Sequence, residues 1–281
     1  MQLGGNGWRY YNHALIPITA PHEEISLQEL NSGQIWRKRE GGTPLLARWT
    51  SNFDCGYSTE WWYVIKDTPF NLASIKSKRR YEINKGNKNF EVKIIDPARF
   101  VEEIFDIQIK AFSAYPEKYR PTVDHDIFIK DILKHWKNKI VYGAFDNESD
   151  EMCGYALLTE NTSYVDFNVL KTKPESEKKA INAAIIYKIL LDYNNRLKDG
   201  FYICDGSRSI SHETSFQDYL EKYFEFRKAY GKLEIRYRNV VRFSVNILYP
   251  FRGLLTKLDD NKIIHNIISI LKMESIRRCC E

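Results

Sequence analysis

Residues 140–170 read IVYGAFDNESDEMCGYALLTENTSYVDFNVL, and this stretch decides the fold class. Two apolar runs, residues 140–145 and 152–159, flank a polar turn at 146–150, which is the pattern of a β-hairpin. A third run, residues 163–170, continues from the hairpin as the next strand of a meander. The stretch therefore predicts three antiparallel strands of one sheet.

Helices and further strands are predicted on both sides of this meander. Ser176 is placed as the N-cap of a helix with a continuous apolar stripe, and the wholly apolar run 201–204 is typical of a sheet interior. This order of elements predicts a mixed-sheet α/β (α+β) fold. The predicted helices are 71–84 (ended by Gly86), 97–115, 125–137, 176–193 and 215–230, and the further strands are 90–95, 201–204 and 232–237.

The two ends of the chain differ from its middle part in their sequence pattern. The first 68 residues contain short aromatic runs between Gly, Pro, Asn and Ser clusters, which predict a small β-rich region. Its predicted strands are 8–18, 34–39, 45–49 and 60–65. Apolar residues at helical spacing over 261–273 predict an amphipathic C-terminal helix. We therefore divide the chain into a β-rich region at 1–68, an α/β domain at 69–250 and a C-terminal helical part at 251–281.

Composition excludes several classes of protein. The chain has 281 residues and a net charge of +5, which is too small for a dedicated nucleic-acid binder. Its five cysteines include no CxxC pair, so neither a disulfide framework nor a metal site is indicated. The sequence shows no signal-peptide pattern and no apolar run of membrane-spanning length, so we expect a cytoplasmic protein whose membrane contact, if any, is peripheral.

The best candidate site follows the apolar strand 201–204. Ligands of open α/β sheets gather at the carboxyl ends of strands, and the loop 205–214 reads DGSRSISHET. It supplies acids, a guanidinium, an imidazole and hydroxyls, which are the groups that acid/base catalysis and oxyanion stabilisation need. The alternative is a Ser/Thr-rich loop that only caps the next helix. The candidate side chains of this loop are Asp205, Ser207, Arg208, Ser209, His212 and Glu213.

A second strand end lies at residues 169–176, where the strand 163–170 leads into a helix. Backbone N–H groups at a helix N-terminus bind phosphate, although no glycine-rich cradle is present. Two solvated lysines at an ordinary helix start are an equally good interpretation. The residues in question are Val169, Leu170, Lys171, Lys173 and Ser176.

A third candidate is the basic face of the predicted helix 71–84. Lys76, Arg79 and Arg80 lie in a run of positive charge that could receive the phosphates of CoA or of a tRNA backbone. A solvated charged face is the simpler interpretation of such a run.

These stretches resemble the Fem-like branch of the GNAT superfamily. Residues 72–83, LASIKSKRRYEI, are similar to a basic helix of that branch. Asn182, the DGSRS sequence at 205–209 and residues 216–226 resemble its long helix, its strand-end loop and its closing helix. The resemblance covers residues 61–237 and implies a GNAT-like fold.

The resemblance implies a bacterial acyltransferase that moves an acyl group from acyl-CoA to an amine or hydroxyl by direct attack. The acceptor class it implies is a small molecule or a glycan or cell-envelope precursor. Asp205 or Glu213 is then the base, with His212 as the alternative, and Tyr219 protonates the leaving group. Arg208, Ser207 and Ser209 are the anion or oxyanion partners, and 169–176 together with Asn182 would hold the CoA.

Two other functions remain open. In the first, aminoacyl-tRNA replaces acyl-CoA as the donor, which the basic helix favours and the modest net charge disfavours. In the second, the domain is a non-catalytic binding module, since KPESEKK at 173–179 replaces the glycine-rich pyrophosphate loop that is usual in the family.

Overall fold

The computed structural model describes residues 7–37, 42–115, 117, 120–210, 215–256 and 262–279. Its strands are β1 (Trp8–Tyr11), β2 (Ala14–Pro17), β3 (Leu46–Ser51), β4 (Trp61–Lys66), β5 (Phe90–Ile95), β6 (Ile140–Asp146), β7 (Met152–Glu160), β8 (Tyr164–Thr172), β9 (Tyr202–Ser207) and β10 (Arg227–Tyr237). Its α-helices are α1 (Gln28–Ser32), α2 (Ser77–Asn89), α3 (Val101–Ser113), α4 (His125–His135), α5 (Ile181–Tyr193), α6 (Ser215–Phe224), α7 (Asn239–Leu248), α8 (Arg252–Leu255) and α9 (Lys262–Cys279).

The chain divides into two compact units. Unit 1 comprises the described residues of Met1–Tyr63, Ser207–Ser215 and Lys228–Glu281. Unit 2 comprises those of Val64–Gly206 and Phe216–Arg227. Strands β4, β9 and β10 each contribute residues to both units.

Unit 2 contains the predicted meander. Strands β5, β6, β7 and β8 pair antiparallel in sequence order, and β9 then adds parallel to β8. This mixed sheet confirms the predicted fold class. Apolar residues of α3 and α4 close one face of the sheet in a buried cluster. The cluster comprises Ile95, Ile104, Ile107, Ile132, Trp136, Val141, Phe145, Met152, Tyr155 and Leu157.

Unit 1 is the β-rich part together with the C-terminal helices. Strand β1 pairs antiparallel with β2, β2 pairs parallel with β3, and β3 pairs antiparallel with β10. Helix α9 is longer than the predicted 261–273 and buries Met273 and Ile276 beside Leu46 and Leu233. The buried carboxylate of Glu274 accepts hydrogen bonds from Tyr237, Arg277 and Arg278, and these bonds hold the pKa of that carboxyl low against its desolvation.

Helix α2 differs from the prediction at both ends. It begins at Ser77 because the Asn71 side chain accepts from the backbone N–H of Ala73 and forms a turn before the helix. It continues through Gly86, which the sequence placed after its end. A Cβ on Gly86 would lie 2.5 Å from the carbonyl oxygen of Ala180 and 2.9 Å from the nitrogen of Ala184. Gly86 is therefore required by the close approach of α2 and α5.

Three other sequence assignments were wrong. Residues 34–36 form a 3₁₀ turn where a strand was predicted at 34–39, and residues 38–39 lie outside the described part. Helix α5 begins at Ile181, after a 3₁₀ turn over Pro174–Lys179, so Ser176 is not its N-cap. Helix α6 ends at Phe224 because Glu225 takes a left-handed backbone conformation, and β10 starts where the helix was expected to continue.

Candidate functional site

Strands β8 and β9 separate at the point where a ligand is expected. Their parallel register runs from Tyr164 opposite Tyr202 to Asp166 opposite Cys204. Strand β8 then continues along β7 as far as Thr172, while β9 continues to Ser207. An opening between neighbouring strands at their carboxyl ends is the usual ligand position in an open α/β sheet.

A β-bulge lies beside this opening. Leu158 pairs with Phe167 and Leu157 pairs with Val169, so Asn168 is the extra residue on β8. The Asn168 side chain accepts a hydrogen bond of 2.5 Å from the hydroxyl of Thr159. Bulges next to active sites change the direction of backbone groups and side chains, and this one lies two residues after the last β8–β9 pair.

Asp205 is the residue immediately after the last β8–β9 pair. Burial of its carboxyl group raises the pKa to about 7, the Gln217 side chain counteracts this by donating to Oδ2 at 3.3 Å, and the charge of Asp166 raises the pKa further. Asp205 thus exchanges its proton near neutral pH, where a general base works best. Burial raises the pKa of the adjacent Cys204 thiol well above its ordinary value, which disfavours the thiolate that a cysteine nucleophile needs.

Helix α6 contributes aromatic side chains to the same unit. The ring of Phe216 lies 6.0 Å from that of Phe167 on β8 and 6.4 Å from that of Tyr219. Burial, together with the charges of Glu82 and Tyr223, raises the pKa of Tyr219, so its phenol keeps its proton at neutral pH. Tyr219 is therefore a hydrogen-bond donor on the helix that also carries Gln217.

The start of α5 is covered by another helix of unit 2. Ala180 has a left-handed φ of 64°, and Gly86 of α2 packs against its carbonyl oxygen and against Ala184. The side-chain amide of Asn89 donates to the carbonyl oxygen of Lys179 at 3.2 Å. Helix α2 therefore packs against the first turn of α5, the helix end at which a phosphate group would be expected to bind.

Three of the residues predicted to hold CoA, Lys171, Lys173 and Asn182, have side-chain partners within the protein. The buried ammonium of Lys173 pairs with Glu151 and lies 3.6 Å from Asp106, and Ser176 is buried in the 3₁₀ turn. Asn182 accepts from Thr172 at 3.3 Å. Lys171 donates to the Tyr115 hydroxyl at 3.0 Å and lies over the Phe112 ring. Val169 and Leu170 are half-buried on β8.

The anion-binding residues predicted at 207–209 lie in unit 1. Arg208 belongs to unit 1, where its guanidinium donates to the Glu60 carbonyl and carboxylate at 2.6 and 2.9 Å and stacks over Trp62. Ser207 and Ser209 of unit 1 are half-buried, whereas His212 and Glu213 lie outside the described residues.

The predicted basic residues lie on α2 in unit 2. Lys76 is exposed at the N-cap of the helix, and Arg79 is half-buried in its first turn. The Arg80 guanidinium donates to the carbonyl oxygen of Ala73 at 3.2 Å.

Sequence reasoning missed three side chains around the opening. Asp166 and Gln217 act on Asp205, and Asn168 is the bulge residue. Asp166 could have been found from the sequence, because it is an acidic residue in a strand whose neighbouring residues are mostly apolar. Nothing local marked Gln217, because it reaches Asp205 only through the packing of α6.

Within the described part of the chain, no group of three His, Cys, Asp or Glu residues is arranged to hold a metal ion. Of the helices described there, none combines the length and the apolar character needed to cross a bilayer.

No model of a known protein family matches this sequence, and no curated protein matches it. Solved structures do. L-PGS from Bacillus licheniformis is 10% identical, with a TM-score of 0.50 over 95% of this chain and 84% of its own. A C-terminal domain from Agrobacterium fabrum, described as that of a lysylphosphatidylglycerol synthetase, is 8% identical, with a TM-score of 0.50 over 86% of this chain and 84% of its own. FemX is 11% identical, with a TM-score of 0.47 over 66% of this chain and 63% of its own. The chain thus has the GNAT-like fold that its sequence predicts.

Proposed function

We propose that the chain transfers an acyl group to an amine or hydroxyl and that Asp205 is the base that activates the acceptor. The observation that carries this proposal is a carboxyl group with a pKa of about 7 on β9, directly after the last residue of β9 that pairs with β8. A base with this pKa is half ionised at neutral pH and still accepts a proton effectively.

The donor that fits this site best is an aminoacyl ester of RNA. Helix α2 covers the start of α5, and the ammonium of Lys173 is buried in ion pairs, so these two groups do not favour CoA pyrophosphate. Lys76, Lys78 and Lys88 are exposed on α2 and suit the backbone of a larger polyanion. The Agrobacterium fabrum domain is described as that of a lysylphosphatidylglycerol synthetase, and that name implies a lysyl group joined to a lipid, which agrees with aminoacyl transfer.

The proposed reaction is a direct displacement at the ester carbonyl. Asp205 removes a proton from the acceptor as its nitrogen or oxygen forms a bond to the carbonyl carbon. The tetrahedral intermediate then collapses, the bond from that carbon to the ribose oxygen breaks, and Tyr219 donates a proton to the leaving oxygen. The proton on Asp205 is released to solvent, and Tyr219 regains one, so the protein ends unchanged.

The donor is tested by comparing two labelled substrates with the purified full chain. Total tRNA charged with labelled amino acids is expected to lose label to hydroxylamine, a small amine nucleophile, faster than in a reaction without the protein, whereas labelled acetyl-CoA is expected to lose label only at the uncatalysed rate. Transfer from acetyl-CoA alone would make acyl-CoA the donor. Transfer from neither substrate, to hydroxylamine or to a panel of amines and polyols, would favour the non-catalytic module.

Tyr219→Phe tests the proposed acid. We expect a rate loss of about tenfold to a hundredfold, because the substitution removes only the donated proton. The pH at which the rate is half maximal stays that of the wild type, since Asp205 is untouched. Tyr223→Phe, on the same helix, is the matched control with a rate close to that of wild type. Equal losses in both variants would assign Tyr219 a packing role.

Substitutions at the start of α2 test whether this helix binds the backbone of a polyanion. Lys76→Ala with Lys78→Ala is expected to weaken tRNA binding and to lower the slope of log affinity against log salt by about 1 to 2, because each phosphate contact contributes a little under one. Lys134→Ala with Lys137→Ala removes two exposed lysines at α4 and is the matched control. An unchanged slope in the first variant would move the RNA contact away from α2.

A further inference from the structure

Unit 1 carries an apolar stripe that its own core does not use. The stripe lies on residues 239–256, where α7, a 3₁₀ turn at Tyr249–Phe251 and α8 follow one another in helical conformation. Successive members are three or four residues apart, which places them on one side of a helix. The members and their exposed fractions are Val240 74%, Phe243 69%, Ile247 50%, Phe251 56% and Leu254 62%.

The opposite side of the same segment attaches it to unit 1. Val245 is 4% exposed, and the Tyr249 hydroxyl donates to Ser275 of α9 at 3.4 Å. The guanidinium groups of Arg252 and Arg278 lie 4.3 and 4.0 Å from the centre of the Tyr249 ring. These contacts anchor the segment to unit 1 without using the side chains of the outer stripe. Exposed apolar patches of this kind mark interaction sites.

The charge around the stripe indicates what covers it. Residues 238–256 contain three arginines and no acidic residue. The three, Arg238, Arg242 and Arg252, are all exposed. Exposed aromatic and aliphatic side chains next to exposed arginines match the boundary between acyl chains and anionic headgroups, where apolar side chains insert and guanidinium groups reach the phosphates.

We propose that residues 239–256 form an interfacial helix that binds the surface of an anionic bilayer. The stripe enters the headgroup boundary, and the arginines pair with lipid phosphates. Such binding is reversible and needs no helix that crosses the membrane. The proposal goes beyond the proposed function and does not rest on it, because it concerns unit 1 and requires no transfer reaction.

The test is flotation or sedimentation of the full chain with vesicles of phosphatidylcholine alone and of phosphatidylcholine with phosphatidylglycerol. We expect binding to the anionic vesicles that weakens with salt. The double variant Phe243→Glu/Phe251→Glu is expected to bind them on the order of tenfold more weakly or worse, since it removes apolar area and adds two negative charges. Ile127→Glu, at a side chain on α4 that is likewise 69% exposed, is the matched control and keeps wild-type binding.

Several outcomes would overturn the proposal. They are the absence of wild-type binding to anionic vesicles, equal binding to both kinds of vesicle at every salt concentration, and equal loss in the double variant and the control. A wild-type dimer that the double variant converts to monomers, without vesicle binding, would make a second copy the occupant. Circular dichroism and thermal melting establish that both variants are folded. Folding is expected because the substituted side chains are exposed.

Discussion

Replacing Asp205 with Asn is expected to lower the transfer rate by about a hundredfold to ten-thousandfold, which is the usual contribution of a general base. Asparagine has nearly the same shape and still bonds to Gln217, but it cannot take a proton from the acceptor. The measurement is the single-turnover rate from whichever donor proves active. A rate within about threefold of wild type would exclude Asp205 as the base.

The pH dependence of the wild-type rate provides a second check on Asp205. Its pKa is about 7, so the carboxylate form that acts as base is the minor form below that pH. The rate should therefore rise about tenfold per pH unit up to about 7 and level off above it. The Asp205→Asn variant should lose this inflection, whereas Tyr219→Phe should retain it.

The same carboxyl group makes stability fall as pH rises. Its folded pKa of about 7 lies above the ordinary value of 3.8, so between these values the folded protein holds a proton that the unfolded chain has released. The contribution of this group to the free energy of unfolding is highest below about pH 4. It declines towards pH 7 by on the order of 2–4 kcal/mol in total. Asp205→Asn should therefore raise the melting temperature at pH 8 more than at pH 5. A loss of stability at pH 8 would contradict this account.

The second large effect is expected at Gly86. A methyl group there would lie 2.5 Å from the backbone oxygen of Ala180, which no rotamer change relieves. We expect Gly86→Ala to reduce the free energy of unfolding by about 2 kcal/mol, because the overpacking outweighs the roughly 1 kcal/mol gained in helix propensity. Urea unfolding followed by circular dichroism measures the change.

Gly253→Ala is the matched control for Gly86→Ala. Gly253 also lies in a helix, α8, but no atom lies within 4 Å of the position its Cβ would take. Without a clash, alanine is expected to leave stability unchanged or to raise it by about 0.5–1 kcal/mol. Opposite signs at the two glycines would confirm that α2 is pressed against the start of α5. A gain at Gly86 would show that α2 moves away at little cost, which would reopen that helix end to a phosphate.

The strands of the meander were predictable because their pattern is local. Residues 140–170 alternate between apolar runs and a polar turn, and β6, β7 and β8 lie there with small differences at their ends. The helix over 71–84 was placed six residues early, because apolar spacing cannot show that Asn71 starts a turn instead of a helix. Gly86 was interpreted as a helix stop, since its role depends on a neighbour nearly a hundred residues away.

The candidate site was predictable only in part. An acid directly after a wholly apolar strand pointed to Asp205, because strand ends collect ligands in this class of fold. Its raised pKa depends on burial and on Asp166, which only the assembled sheet supplies. Lys171, Lys173 and Arg208 were candidate ligand contacts because they are basic residues at strand ends, but the structure gives each of them a partner within the protein.

What the sequence by itself determined about this protein is the order of its elements over residues 90–237, its mixed α/β class and the place of Asp205 directly after a buried apolar run; the structure extends that strand, β9, to Ser207. These follow from periodicities of two and of 3.6 residues, which the chain carries without reference to its fold. Only the tertiary structure decided where β8 and β9 separate, that α2 covers the start of α5, and which apolar side chains of residues 239–256 stay exposed. Those features depend on contacts between residues distant in the chain, and no local pattern encodes the free energy of such contacts.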